Sequence, residues 1–126
     1  KTRRILIVDD DRDTLANLSD ILSDRGFDTD TAPSGDEAID KIESISSDQV
    51  DGRFDLCLLD FKMPGMDGVE LYERIREVHP GLRAIMITAY AGDNGIARAE
   101  QAGTWKVIRK PVDINKLLAM IDEVVA

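Results

Sequence analysis

Four polar groups stand at or just past the ends of apolar, strand-like runs. Asp9-Asp10-Asp11 follows Arg4-Ile5-Leu6-Ile7-Val8, Asp60 follows Leu56-Cys57-Leu58-Leu59, Thr88 follows Ala84-Ile85-Met86-Ile87, and Lys110 lies just beyond Lys106-Val107-Ile108. A nucleophilic carboxylate, an acidic pair able to hold a metal, a hydroxyl and a primary ammonium suit phosphoryl transfer, where catalysis is mainly positioning and charge stabilisation. Three adjacent carboxylates repel, and burying them costs several kcal/mol without a counter-charge. Mg²⁺ is the natural remedy, since it prefers oxygen ligands and usually takes one or two carboxylates. On this reading it bridges Asp10, Asp60 and a phosphoryl oxygen, while Thr88 and Lys110 hold other oxygens. Each member also has a plain structural role: Asp60 as a turn former, Asp11 as a helix cap, Thr88 as a strand-end hydroxyl, Lys110 as a solvated charge. The four together are harder to explain that way.

The elements that must position these groups follow from periodicity and caps. Arg4 to Val8 and Phe54 to Leu59 are continuous apolar runs of the kind buried on both faces of a parallel sheet, as is Ala84 to Ile87. Phe27 to Ala32 is short and polar, which suits an edge strand, and Lys106 to Ile108 is a short last strand. Leu15, Leu18 and Leu22 recur at helical spacing, with Gly26 as a stop. Ser34-Gly35-Asp36-Glu37 reads as a capping box opening a helix with Ala38, Ile39 and Ile42 on one face. Met63-Pro64-Gly65 breaks the chain after Asp60, and Asp67, with Glu70 three residues on, restarts a helix carrying Val69, Leu71, Tyr72, Ile75 and Val78. His79-Pro80-Gly81 ends it, and His79 reads as a surface residue. Asp93 or Asn94 starts an Ala-rich, weakly amphipathic helix through Ala102, whose packing should be the least secure, with Gly103 as its stop. Asp113 caps a final helix with Ile114, Leu117, Leu118, Ile121 and Val125 inward. Ser44 to Arg53 reads as a helix end plus an exposed loop.

Five strands alternating with five helices predict an α/β fold, a doubly wound parallel sheet covered on both faces. Right-handed crossovers then bring the ends of the first, third, fourth and fifth strands to one rim, where ligands of open α/β sheets bind.

At 126 residues the chain is most simply one domain, residues 1–126, with 43% hydrophobic and 33% charged residues. A formal charge of −9 argues against direct nucleic-acid binding through phosphates. No apolar run approaches the ~20 residues that span a bilayer, so no membrane partner is expected. The single cysteine, Cys57, lies within an apolar run and reads as a buried thiol compatible with a reducing cytosol, hence a cytoplasmic location. The chain does not begin with Met, as expected of a fragment or a processed protein.

The motifs Ile7-Val8-Asp9-Asp10, Leu59-Asp60, Met63-Pro64-Gly65-Met66-Asp67-Gly68, Ile87-Thr88-Ala89 and Lys110-Pro111, in this order and spacing, make the whole chain resemble the receiver domain of two-component response regulators. The resemblance implies a flavodoxin-like sheet in the order 2-1-3-4-5. It implies a phospho-acceptor signalling domain, not an enzyme with an external substrate. Asp60 would receive a phosphoryl group from a histidine kinase or a phosphotransfer protein, as in a phosphorelay. It assigns Mg²⁺ to Asp10, Asp60 and the backbone carbonyl of Lys62, with Asp9 acting through water. Phosphoryl contacts fall to Thr88, Lys110 and backbone N–H groups near Phe61 and Ala89, and Lys110-Pro111 is typically cis. Lys62 and Tyr90 hold positions that tune how fast the phosphoryl group is hydrolysed, and a lysine at Lys62 suits slow self-dephosphorylation.

In one place the chain departs from the family. Where the family usually carries Tyr or Phe, whose rotamer moves as the threonine shifts, this chain has Val107, with Trp105 nearby as a surface or packing residue. The switch pair is therefore Thr88 and Val107. The resemblance places the partner surface on the fourth helix, fifth strand and fifth helix, for an output domain or downstream protein; a homodimer through that face is a further partner. The alternative is a receiver-like interaction module that does not use phosphorylation. A haloacid-type phosphohydrolase wants a second Asp two residues after the nucleophile, where Lys62 stands. A flavodoxin-like nucleotide binder needs a phosphate cradle where Asp9-Asp10-Asp11 would repel phosphate.

Overall fold

The computed structural model describes residues 2–45, 53–89 and 95–125. Elements alternate without exception: β1 (Arg4–Val8), α1 (Arg12–Asp24), β2 (Asp28–Ala32), α2 (Gly35–Glu43), β3 (Leu56–Asp60), α3 (Gly68–Val78), β4 (Arg83–Thr88), α4 (Gly95–Ala102), β5 (Lys106–Arg109) and α5 (Ile114–Val125). The strands form one parallel sheet in the order β2-β1-β3-β4-β5, as the resemblance implied. β3 is central and buried along its whole length, so the most apolar strand takes the position with the least access to water.

Alternation along the strands divides the core in two. Leu6, Val8, Cys57, Leu59 and Met86 face α2, α3 and α4, meeting Ala38, Ile42, Leu71, Ile75 and Ala99. Ile5, Ile7, Leu58, Ile85 and Ile87 face α1 and α5, meeting Leu15, Leu18, Leu22, Leu117 and Ile121. Each fully buried Leu or Ile contributes about 1.5–3 kcal/mol relative to exposure. β2, Asp-Thr-Asp-Thr-Ala, is the polar edge strand, tied down by Arg4–Asp28 at 3.0 Å and Lys41–Asp30 at 2.6 Å.

Caps fall where the residue types asked for them. Asp11 caps α1, accepting the Asp13 N–H at 3.1 Å, and Asp113 Oδ1 accepts from Asn115 and Lys116 at the start of α5. Asp67 and Glu70 form a reciprocal capping box at α3, whereas among the described residues Ser34 forms only the forward bond, to the Glu37 N–H at 3.2 Å.

Several expectations are corrected. β2 starts at Asp28 and β3 runs from Leu56 to Asp60, so Asp60 is the strand's last residue, because it pairs with Ile87 of β4. Val78 is 42% exposed, because the helix stops there and the core position is taken by Leu82 beyond the turn. His79 is half-buried, with Nε2 sealed from solvent and lacking a partner among the described residues; its backbone N–H closes α3 by donating to Ile75 O at 2.7 Å. Residues 46–52, the Asp93/Asn94 helix start, Tyr90 and the Val125 side chain lie outside what is described.

Two glycines shape the path after β3. Gly65 turns it at φ +79°, in the left-handed region that favours glycine. Gly68 opens α3 directly beneath β3, and a Cβ there would stand 2.6 Å from Asp60 O, 2.7 Å from Met86 Sδ and 3.0 Å from Phe61 Cα. Two of those three atoms are backbone and cannot step aside. Gly68→Ala should therefore cost about 1–3 kcal/mol in urea melts, despite the usual helical advantage of alanine over glycine of about 0.5–1 kcal/mol.

Candidate functional site

The four strand ends named from sequence converge on one rim. Asp9 follows β1 and is 2% exposed, Asp60 ends β3 at 5%, and Thr88 ends β4 at 0%, and these three are the buried polar side chains among the described residues. Asp10, next to Asp9, is exposed. Lys110 follows β5 and reaches back across the rim: its Nζ lies 3.2 Å from Asp60 Oδ1 and 3.8 Å from Asp9 Oδ2. Its backbone donates to Thr88 O at 2.7 Å, and the Lys110–Pro111 peptide is cis, as expected. Asp9 is steadied by the Asp11 N–H, which donates to its Oδ1 at 2.9 Å.

Charge is the dominant feature of this cluster. Burial, reinforced by the nearby Asp9 charge, pushes Asp60 up from 3.8 to about 6, against the pull of Lys110. Burial likewise raises Asp9, opposed by the Asp11 N–H and by Lys110. Burial alone would lower Lys110, but the charges of Asp60, Asp9 and Asp10 outweigh it and hold the ammonium above its ordinary value. One lysine shared among three carboxylates leaves the cluster short of positive charge.

The donor set fits a hard divalent cation. Asp9, Asp10 and Asp60 each offer a carboxylate oxygen, and these oxygens lie within 4.8 Å of one another. Lys62 is exposed on the loop two residues past Asp60. The Phe61 N–H donates to Ile87 O at 2.8 Å, continuing the β3–β4 ladder one residue beyond the strand. Ala89 is exposed just past Thr88. Val107 is half-buried on β5, opposite Met86, and lines a groove of about 360 Å³ with Ile96 and Glu100 of α4. Trp105 packs half-buried toward the α1 and α5 side, with Arg83 and Lys106 cations 5.7 and 5.2 Å from its ring centroid.

Two features of the site's surroundings had no reading in sequence. Gly68 could have been flagged as the residue after a cap, but its pressure on Asp60 comes from the fold. Arg98 pairs with Asp67 across 31 positions, a contact with no local signal.

The raised Asp60 has a definite linkage consequence. Its carboxyl binds a proton more tightly in the folded chain than in the unfolded one, so its contribution to stability is full below about pH 4. That contribution is lost as pH rises through about 6. Asp60→Asn should be more stable than the parent at pH 7 in EDTA, by roughly 2 kcal/mol. Thermal melts from pH 7 to pH 4 should show that difference shrinking.

Comparison with known proteins agrees with this geometry. Residues 5–122 match the response regulator receiver domain family. A response regulator receiver protein of Anaeromyxobacter is 39% identical over 92% of this chain, which spans 46% of that relative, less than half its length. Sporulation initiation phosphotransferase F of Bacillus subtilis is 33% identical over 90% of this chain and 86% of its own. The crystal structure of a CheY-like receiver domain from Methanospirillum hungatei superposes with a TM-score of 0.86 at 36% identity, covering 98% of this chain and 93% of that one. With the family's model matched over residues 5–122 and its sheet order shared with a CheY-like receiver domain, this chain belongs to the response regulator receiver domains of two-component signalling.

Proposed function

We propose that Asp60 is the phospho-acceptor of this receiver domain, taken to be residues 1–126, with Asp9, Asp10, Thr88 and Lys110 completing the reacting set. One observation carries the reading: three carboxylates at one rim share a single ammonium, at 3.2 Å from Asp60. An oxygen of Asp60 attacks phosphorus of a phosphohistidine, a P–O bond forms, the P–N bond breaks, and the imidazole departs. Lys110 and the Thr88 hydroxyl hold phosphoryl oxygens as the charge moves onto the acceptor. Asp10, Asp60 and the Lys62 carbonyl would hold Mg²⁺, with Asp9 acting through water; the ion supplies positive charge to the transferring group. The same residues assist the later hydrolysis.

The donor on this reading is a histidine kinase or a phosphotransfer protein. Phosphorylation biases two nearby conformations through Thr88, and the readout surface is α4, β5 and α5, facing an output domain, a downstream protein or a second copy. Val107 supplies the packing half of that switch.

Incubation with Mg²⁺ and acetyl phosphate, followed by intact-mass measurement, tests the chemistry. The parent should gain one phosphoryl group, and the gain should vanish in Asp60→Asn and in EDTA. No gain in the parent, with Mg²⁺ binding shown independently, would turn the reading to an interaction module that does not use phosphorylation. Once labelled, the parent should lose its phosphoryl group more slowly than Lys62→Asn; equal decay rates would remove Lys62 from the role of slowing hydrolysis.

A further inference from the structure

α4 is held by polar ties more than by buried apolar surface. Among its described side chains only Ala99 is fully buried, while Ile96, Arg98 and Ala102 are half-buried. At its far end the Tyr72 hydroxyl donates to Gly103 O at 3.0 Å and Arg76 Nη1 to Ala102 O at 2.7 Å, fastening the helix terminus to α3. Arg98 makes a different connection. Its Nη1 donates to Asp67 Oδ2 at 2.9 Å, and its Cζ lies 5.6 Å from the centroid of the Phe61 ring.

Phe61 and Asp67 are the first and last residues of the segment joining β3 to α3. One guanidinium therefore touches both ends of the loop that leaves Asp60. The Asp67 carboxylate is divided: Oδ1 accepts the Glu70 N–H at 2.9 Å and caps α3, and Oδ2 takes Arg98 from α4. Both of Arg98's interactions depend on orientation, since a cation must stand over the ring face and a guanidinium must meet the carboxylate in its plane. Anything that steadies the loop steadies both partners together. Val107, which also lies beside α4, has neither a ring nor a hydroxyl with which to do this.

We infer that Arg98 is a positioning residue that couples α4 to the occupancy of the site at Asp60, acting through Phe61 and Asp67. The inference rests on the phospho-acceptor reading above. The coupling is reciprocal: filling the site steadies α4, and a steadied α4 favours the filled site. Its size is limited by solvent, because the Arg98 side chain is 41% exposed and that of Asp67 is 22% exposed. An interaction of this exposure corresponds to about a two- to fivefold effect.

The test is amide hydrogen exchange by NMR on the full chain, with and without Mg²⁺ plus beryllium fluoride as the phosphoryl mimic. The parent, Arg98→Ala and Asp67→Asn are compared; asparagine keeps the helix cap and removes only the charge. In the parent, exchange at residues 99–102 should slow about two- to fivefold on filling. In both variants that slowing should be lost while the amides of residues 60–62 still shift. A purely structural role would alter exchange equally in the empty and filled states and leave their ratio unchanged. Slowing retained in the variants would overturn the coupling, as would shifts at residues 60–62 in the parent with no slowing in α4. No shift at residues 60–62 in the parent would overturn the phospho-acceptor reading, and the coupling with it.

Discussion

Three carboxylates held together with one ammonium set the terms for the rest of this molecule. Asp9 and Asp60 are almost fully buried, and the Lys110 ammonium cannot neutralise both. Burial pushes both acids upward, reinforced by the Asp9 charge at Asp60 and by Asp10 at Asp9, so the folded chain carries a local electrostatic strain at neutral pH. Such a cluster persists because the surrounding sheet over-determines it: β1, β3 and β4 are packed on both faces and bring their ends to the rim whether or not the charges prefer it. The same cluster offers a hard divalent cation a carboxylate oxygen from each of three residues.

Much of this was legible in the sequence because it is encoded locally. Apolar runs broken by Asp9, Asp60 and Thr88 announce strand ends, and Asp11, Asp67 and Asp113 cap helices with bonds to residues two or three positions away. The sheet order came from the motif resemblance, since alternation alone gives a parallel sheet without fixing which strand is central. The misreadings share a cause: the deciding partner is distant in sequence. Asp60 belongs to β3 because of its register with Ile87. His79 looked solvent-facing beside two breakers, yet its ring nitrogen is sealed from solvent. Arg98 sits on a helix whose periodicity is weak, and nothing near it in the chain names Asp67 as its partner.

The two faces of the sheet serve different ends. On the α1 and α5 side, aliphatic side chains interlock. On the other side, α3 is pressed beneath β3 at Gly68 and stitched to α4 by Asp67, Tyr72 and Arg76. Apolar packing is tolerant of small displacements, whereas directional bonds favour discrete arrangements. The polar seam between α3 and α4 is thus the part of the framework best suited to hold two alternative settings.

Cys57 lies in β3, three residues before Asp60, fully buried with its thiol pushed well above the ordinary range by desolvation. Sulfur chemistry requires thiolate and access, and this position supplies neither. Peroxide or a disulfide donor would have to wait for the central strand to leave the sheet before meeting the sulfur. Asp60, three residues on, ends the same strand at the rim, buried and paired with the Lys110 ammonium. The strand that carries Asp60 to the rim is thus closed to oxidants at its sulfur for as long as it stays in the sheet.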